Sequence, residues 1–358
     1  MSAAPFRIVA FMGCQTLGDF IMYQLTAATV KRAIPGAQLA SIFRDDRPYK
    51  RLLDLANRDV AARHVMARGA PGLDVGAFDG AHEQAGMPFS QAWIDSGFHK
   101  PDLLLTPAMM GHFSFAGPPP VLRLPDDLVA PLAASMAARG LDTGRWFAAL
   151  HMRETGYHYR QGVDPGRSVD PKTYLPMVVH IIRALGGQVV RLGDPSMTPF
   201  PAMAGLVDLS RDGGSFAEQA WACQFARYFI GTDSGGTQLA SAFGCPTATT
   251  NAIGLGCWRD GDVVLPKGYR LPDGRLVKTR DLAETGALGG ARFLPPGVTF
   301  EDCSPQRLVA VARHMTESTP EVRSFDGPDK AALGTVQMPL PTRDLAALAD
   351  FEFWDAED

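Results

Sequence analysis

The hydrophobic positions of this chain fall into short continuous runs that alternate with longer stretches of helical periodicity. Residues 6–12, FRIVAFM, form an apolar, β-branched run that is typical of a buried strand. A turn at 13–19 and a helical pattern at 20–36 follow, and AQLASIF at 37–43 predicts a second strand. A strand–helix–strand order at the start of a chain favours a parallel sheet.

The same alternation continues and restarts near residue 146. The other predicted strands are 101–107, 146–152, 188–194, 205–210, 227–233 and 246–251. The other predicted helices are 46–64, 128–141, 170–187, 215–226, 237–244 and 304–315. Residues 254–300 are rich in Gly, Pro and charge and predict a loop-rich insertion near a cleft.

Two α/β halves, each opening on a strand, predict two doubly wound Rossmann-like domains. We expect the first domain over 1–135, the second over 146–315, and a tail, 316–358, that packs back on the first. Ligands of such sheets bind beyond the carboxyl ends of the strands. Three polar loops lie at predicted strand ends: 13–19, 151–160 and 232–237.

Composition narrows the class of protein. The 358 residues are 46% hydrophobic, and the formal net charge of −4 argues against a general nucleic-acid binder. No apolar stretch approaches the ~20 residues of a membrane span, and the N-terminus does not resemble a signal peptide, so a cytoplasmic location is expected. The five cysteines form no C-x-x-C pair, which disfavours a zinc site or a disulfide framework.

The turn at 232–237 is the strongest candidate for chemistry. Its two glycines expose backbone N–H groups at a predicted helix start, where the helix dipole favours an anion such as phosphate. The residues concerned are Thr232, Asp233, Ser234, Gly235, Gly236 and Thr237. A tight turn with Asp233 as the capping residue is an equally weighted alternative.

The loop at 151–160 carries two histidines and two arginines, His151, Arg153, His158 and Arg160. An arginine fork matches phosphate oxygens, so Arg153 is a candidate phosphate ligand. The alternative is a solvated loop in which Arg153 pairs with a carboxylate such as Glu154. A zinc site at the histidines is disfavoured because no third ligand has suitable spacing.

Two carboxylates complete the candidates. Asp19 opens the first helix and is either a cap or, if the cleft faces it, a general base. Asp194 ends a strand, where a polar loop could hold a nucleoside base or ribose, although an ordinary turn explains it equally well.

Two stretches resemble one known family. LGDFIMYQLTAATVKRAIPGAQL at 17–39 and FIGTDSGGTQLASAFGCPTA at 229–248 are similar to the opening and the C-terminal signature of bacterial lipopolysaccharide heptosyltransferases. The family consists of glycosyltransferases of the GT-B architecture. The loop at 151–153, H-x-R, resembles that of GT-B fucosyltransferases instead, and Gln238 stands where the heptosyltransferases usually have His.

The resemblance implies transfer of a sugar from a nucleotide sugar to an acceptor hydroxyl without a metal or other cofactor. It implies that Asp19, on the acceptor-side domain, is the base. It also implies that residues 233–238 surround the donor phosphates and that Arg153 assists them. Peripheral membrane association through the acceptor is compatible with this interpretation.

Two other functions stay open: a nucleotide-sugar epimerase of the same fold, and a non-catalytic protein that binds an anionic ligand. The sequence leaves open the donor nucleotide (UDP, GDP, ADP or CMP), the sugar, the acceptor, the stereochemical outcome and the oligomeric state.

Overall fold

The structure is a computed structural model, and it describes residues 5–14, 16–68, 89–110, 120–154, 165–253, 262–277 and 297–321. Contacts divide the chain into two compact units. The described residues up to Leu128 form the N-terminal unit, and those from Val129 onward form the C-terminal unit. Most of the predicted tail, from residue 322, lies outside the described residues.

The N-terminal unit contains a four-stranded parallel sheet. Its strands are β1 (Arg7–Phe11), β2 (Gln38–Arg44), β3 (Val60–Met66) and β4 (Leu103–Leu105), in the order β3-β2-β1-β4. Its helices are α1 (Leu17–Ala33), α2 (Pro48–Ala56), α3 (Gln91–Asp95) and α4 (Pro107–Met110). The apolar runs of β1 and β2 are buried because helices of a doubly wound sheet cover both faces.

The prediction of one helix over 46–64 is wrong in its second half. Helix α2 ends at Ala56, and Asn57 then donates its side-chain amide to Gln24 in α1, 2.7 Å from Oε1 and 3.1 Å from the carbonyl oxygen. Residues 60–66 instead form β3, which pairs with β2. Arg63 of β3 donates to the buried carboxylate of Asp54 at 2.6 Å, so tertiary contacts override the weak helical pattern.

The C-terminal unit contains a six-stranded sheet in which every pair is parallel. Its strands are β5 (Phe147–His151), β6 (Gln188–Arg191), β7 (Leu206–Asp208), β8 (Tyr228–Gly231), β9 (Thr247–Ala252) and β10 (Val263–Pro266). Its helices are α6 (Leu175–Arg183), α7 (Phe216–Phe225), α8 (Gly235–Ala242) and α9 (Pro305–Ser318), and α5 (Asp126–Ala138) crosses the division between the units. Short 3-10 turns cover Pro165–Arg167 and Pro171–Tyr174.

The predicted loop-rich insertion at 254–300 needs a correction. Its described part supplies β10, the edge strand of the main sheet, and the strands of a small antiparallel sheet, the last of which ends at Glu301. That sheet joins β11 (Gly268–Arg270), β12 (Leu276–Val277) and β13 (Thr299–Glu301) in the order β12-β11-β13. These strands have only two to four residues, too few to show a periodic pattern in the sequence.

Both parallel sheets have the strand order of a Rossmann domain, which confirms the predicted fold class. Numbered from its own first strand, the C-terminal sheet reads 3-2-1-4-5-6, and the N-terminal sheet reads 3-2-1-4. The order reverses between β5 and β8 in one unit and between β1 and β4 in the other. Each reversal point is where a ligand crevice forms in sheets of this kind.

Candidate functional site

The loops that follow β5 and β8 are hydrogen-bonded to each other through Thr232. Its backbone N–H donates to the His151 carbonyl oxygen at 3.1 Å, and its hydroxyl accepts from the Arg153 N–H at 2.9 Å. The Thr237 hydroxyl donates to the Thr232 carbonyl at 2.6 Å. These bonds bring His151, Arg153 and the 232–237 turn together at the reversal point of the C-terminal sheet.

The first turn of α8 presents backbone donors. Ser234 is the N-cap residue, but its side chain makes no capping bond. The helical ladder starts only with Gln238, whose N–H donates to the Ser234 carbonyl at 3.2 Å. Within the part of the chain that the structure describes, the N–H groups of Gly235, Gly236 and Thr237 have no acceptor. Such a helix start attracts an anion.

The imidazole of His151 is packed against this turn. Its Nδ1 lies 3.0 Å from the Ser234 hydroxyl, and both residues are buried. A Cβ on Gly236 would lie 2.8 Å from His151 Cγ, and a Cβ on Gly231 would lie 2.5 Å from the His151 carbonyl oxygen. Both glycines are therefore required for the close approach of His151. The sequence suggested a different reason for Gly236, namely that it lets a phosphate approach the backbone.

His151 is neutral at ordinary pH. Burial is the largest cause that lowers its pKa, to about 4, and the positive charges of Arg191 and Arg153 act in the same direction. The Asp194 carboxylate opposes them only in part. A neutral imidazole carries one proton, on either Nδ1 or Nε2.

A buried ion-pair network supports the same edge of the sheet. Arg191, fully buried in β6, binds Glu154 through Nη2 at 2.7 Å and Asp208 through Nη1 at 3.0 Å. Glu154 also accepts from the Thr198 N–H at 2.9 Å. The network joins the loop after β5 to the loop after β6. It also binds Glu154, the carboxylate that the sequence suggested as a partner for Arg153.

Asp194 lies in the loop after β6, but its carboxylate serves its own turn. Oδ1 accepts from the Ser196 N–H at 2.8 Å and from the Ser196 hydroxyl at 2.5 Å. This is the geometry of the ordinary-turn alternative. A contact between Asp194 and a nucleoside stays a prediction.

Arg167 is a cation beside the turn that sequence reasoning missed. Its Nη2 and Nε donate to the Asp233 carbonyl at 2.6 and 3.2 Å, and Nη2 lies 3.5 Å from the Asp233 carboxylate. In the sequence Arg167 is only a basic residue of the polar stretch 153–170, and nothing in that stretch indicates that it lies beside the turn at 232–237. Arg167 contacts half-exposed Asp233, which directly precedes the N-cap residue of α8.

Gln238 lies one residue beyond those N–H groups. Its side-chain carbonyl oxygen is shielded from solvent and has no hydrogen-bond partner among the described residues. Arg160 and His158 lie outside the described residues.

Asp19 lies in the N-terminal unit, in the first turn of α1. Its carboxylate accepts from the Thr16 hydroxyl at 2.6 Å, and the Thr16 hydroxyl accepts from the Asp19 N–H at 3.2 Å. This is a reciprocal N-terminal cap of α1. The side chain is also exposed, so the capping geometry leaves the base assignment a prediction.

The loop that leads from β1 into α1, and so to Asp19, lies at the reversal point of the N-terminal sheet. A Cβ on Gly13 would lie 3.2 Å from Pro107 Cγ, which follows β4. The same loop contains Cys14, where burial raises the thiol pKa to about 12 despite the positive charge of Lys50. A thiol with this pKa is not a nucleophile at neutral pH.

Two searches of the described residues were negative. They contain no group of three or more His, Cys, Asp or Glu side chains that could hold a metal ion. No helix among them combines the length and apolar character needed to cross a membrane.

Comparison with known proteins finds similarity in structure only. No family model and no curated protein matches the sequence. The crystal structure of a glycosyl transferase of family 9 from Veillonella parvula is similar over 88% of this chain and 99% of its own, with 11% identity and a TM-score of 0.54. This likeness confirms the predicted GT-B architecture at the level of the fold.

Two further structures from E. coli are more distant. ADP-heptose lipopolysaccharide heptosyltransferase II is 12% identical over 87% of this chain and 99% of its own, with a TM-score of 0.49. Heptosyltransferase WaaC with ADP-2-deoxy-2-fluoro heptose is 13% identical over 75% and 95%, with a TM-score of 0.40.

The depressed pKa of His151 predicts a stability effect. The unfolded chain takes up a proton near pH 6.5 while the folded chain resists it down to about pH 4, so this contribution is lost as the pH falls between those values. We expect wild type to lose about 2 kcal/mol more than His151→Asn between pH 7 and pH 4.5 in urea unfolding. The control His314→Asn, on the exposed side of α9, should follow wild type. Equal losses in wild type and His151→Asn would contradict the burial argument.

Proposed function

We propose that this protein is a glycosyltransferase that moves a sugar from a nucleotide-sugar donor to an acceptor hydroxyl. The observation that carries the proposal is the row of three N–H groups at the start of α8, which have no acceptor among the described residues and lie at the reversal point of a Rossmann sheet. The GT-B fold and the heptosyltransferase-like motif at 229–248 support the same function. The motif includes this turn.

The site matches the charge that develops in such a transfer. As the glycosidic bond to the donor breaks, negative charge grows on the departing nucleoside diphosphate. Backbone N–H groups and the positive end of the α8 dipole are fixed in place and favour that charge. Arg153 and Arg167 add positive charge at the same edge of the sheet, so the C-terminal unit is the donor side of the proposed enzyme.

The acceptor hydroxyl must lose a proton during transfer, and we assign this proton to Asp19. An exposed carboxylate in the first turn of α1, just after the loop at the reversal point of the N-terminal sheet, suits a general base. The assignment rests on the motif at 17–39 and on the exposure of the carboxylate.

The epimerase alternative is weaker because ring chemistry needs carboxylates that are not already engaged. Among the described residues of the donor side, Glu154 binds Arg191 and Asp194 caps its own turn. Asp233 is half exposed beside Arg167. The binding-protein alternative predicts ligand affinity without turnover, which the assays below measure.

The first test is donor binding. A thermal-shift panel of UDP, GDP, ADP and CMP sugars should show stabilisation by one nucleotide class, because a ligand that binds only the folded state raises its stability. With that donor, Arg153→Ala should bind 10- to 150-fold more weakly, since a charge-assisted contact contributes roughly 1.5–3 kcal/mol.

The matched control is Arg183→Ala on the exposed side of α6, which should bind like wild type. Unchanged donor affinity in Arg153→Ala would remove this residue from the diphosphate site.

The second test separates a base from a cap. Asp19→Asn keeps the size and capping ability of the side chain, so donor affinity and melting temperature should stay near wild type. Turnover should fall by about 10²- to 10⁴-fold if Asp19 takes the acceptor proton. Asp127→Asn, in the first turn of α5, is the control and should turn over normally. Normal turnover in Asp19→Asn would leave this residue a helix cap only.

The third test concerns metal. Arginines and N–H groups meet the leaving-group charge in the proposed mechanism, so activity should survive EDTA. Complete loss with EDTA and recovery with Mg²⁺ or Mn²⁺ would reject the mechanism.

A further inference from the structure

We propose that His151 is a positioning residue that turns the Ser234 hydroxyl into a hydrogen-bond donor for the donor-substrate phosphate. In the phosphate-bound protein the imidazole proton is on Nδ1, Nδ1–H donates to Ser234 Oγ, and the hydroxyl hydrogen points to a phosphate oxygen. The inference rests on the proposed donor site at the start of α8.

The contact between the two side chains allows two arrangements. Nδ1 and Oγ are 3.0 Å apart, with 6% of His151 and 8% of Ser234 exposed. Either Nδ1 carries the proton and donates to Oγ, or Nδ1 is bare and accepts the hydroxyl hydrogen. Because the neutral imidazole has one proton, these two tautomers exclude each other.

The Ser234 hydroxyl does not make the capping hydrogen bond that its N-cap position favours. An N-cap serine ordinarily accepts a hydrogen bond from the N–H two or three residues ahead. Here the side chain makes no such bond, and its described partner is the imidazole. Its oxygen therefore interacts with His151 while the first-turn N–H groups stay available.

An anion at these N–H groups selects one tautomer. Phosphate oxygens accept hydrogen bonds and have none to give. A hydroxyl that donates to Nδ1 would turn only lone pairs toward the anion, whereas a hydroxyl that accepts from Nδ1–H has its hydrogen free to donate. The anion and the imidazole thus cooperate through one hydroxyl, as in other hydrogen-bond chains.

The backbone holds the imidazole in place for this role. The Thr232 N–H binds the His151 carbonyl, and the ring occupies the space that a Cβ on Gly236 would fill. Burial and the nearby positive charges of Arg191 and Arg153 also keep the ring neutral, which the choice between tautomers requires.

The tautomer can be read directly. In protein labelled with ¹⁵N-histidine, the His151 signals are assigned by comparison with His151→Asn and followed as pyrophosphate, ADP, GDP or UDP is added in separate titrations. We expect the saturated protein to carry its proton on Nδ1. Saturation with the proton on Nε2 would overturn the inference and leave the donor site standing. Failure of all four probes to bind would overturn the donor site, and the inference with it.

Variants of His151 and Ser234 test whether the imidazole contributes to phosphate affinity through the hydroxyl, with whichever of the four probes binds. Ser234→Ala should lose about tenfold in affinity by calorimetry. His151→Asn keeps an N–H near the place of Nδ1 and should stay within about threefold of wild type. His151→Leu removes the donor that orients the hydroxyl, so it should lose affinity but no more than Ser234→Ala, and the double variant should lose no more than Ser234→Ala alone.

Ser318→Ala is the control, because this hydroxyl bonds only to its own helix, at the His314 carbonyl. If His151→Leu does not fold, the comparison of His151→Asn with Ser234→Ala still decides. Equal losses in those two variants, or additive losses in the double variant, would contradict a relay through the imidazole.

Discussion

The candidate site depends on one buried threonine that joins two strand ends. Thr232 is fully buried, and its N–H, hydroxyl and carbonyl are bonded to His151, Arg153 and Thr237. Parallel strands β5 and β8 lie side by side at the point where the strand order reverses, so the loops that follow them begin next to each other. The threonine hydrogen-bonds the two loops together, so residues about 80 positions apart in sequence share one surface. A rigid edge of this kind aims N–H groups without further ordering when a ligand binds.

Four residues beneath that surface, Gly231, Thr250, Tyr174 and Asn251, are hydrogen-bonded to one another. The Gly231 carbonyl accepts from the Thr250 hydroxyl at 3.2 Å, and Thr250 is bonded to the Tyr174 hydroxyl at 2.8 Å. Asn251 donates to the same tyrosine at 2.8 Å. Because buried polar groups without partners cost free energy, a complete network is stable without a ligand. The three N–H groups of α8 differ from this network because they have no acceptor among the described residues.

The sequence predicted the fold better than the details of the site. Apolar runs identified the main strands because β1, β2, β5 and β8 are buried along most of their length and are mainly apolar. The sequence pattern failed at β3, because its half-buried residues show little alternation between apolar and polar side chains and pairing with β2 determines the strand. The motif at 229–248 located the turn. It could not locate Arg167, which lies in a 3-10 turn 66 residues before Asp233 and contacts it only through the tertiary fold.

The site also changes the meaning of its own sequence signature. Adjacent glycines in a strand-to-helix turn suggest room for a phosphate, and the unpaired N–H groups agree with that. The structure gives Gly236 a second requirement, because its missing side chain is replaced by the His151 ring. Gly236 and His151 therefore form one packing unit, and so do Ser234 and His151 through their hydrogen bond. A signature of this kind therefore encodes how a side chain from another strand packs on the turn, in addition to the ligand site that we propose there.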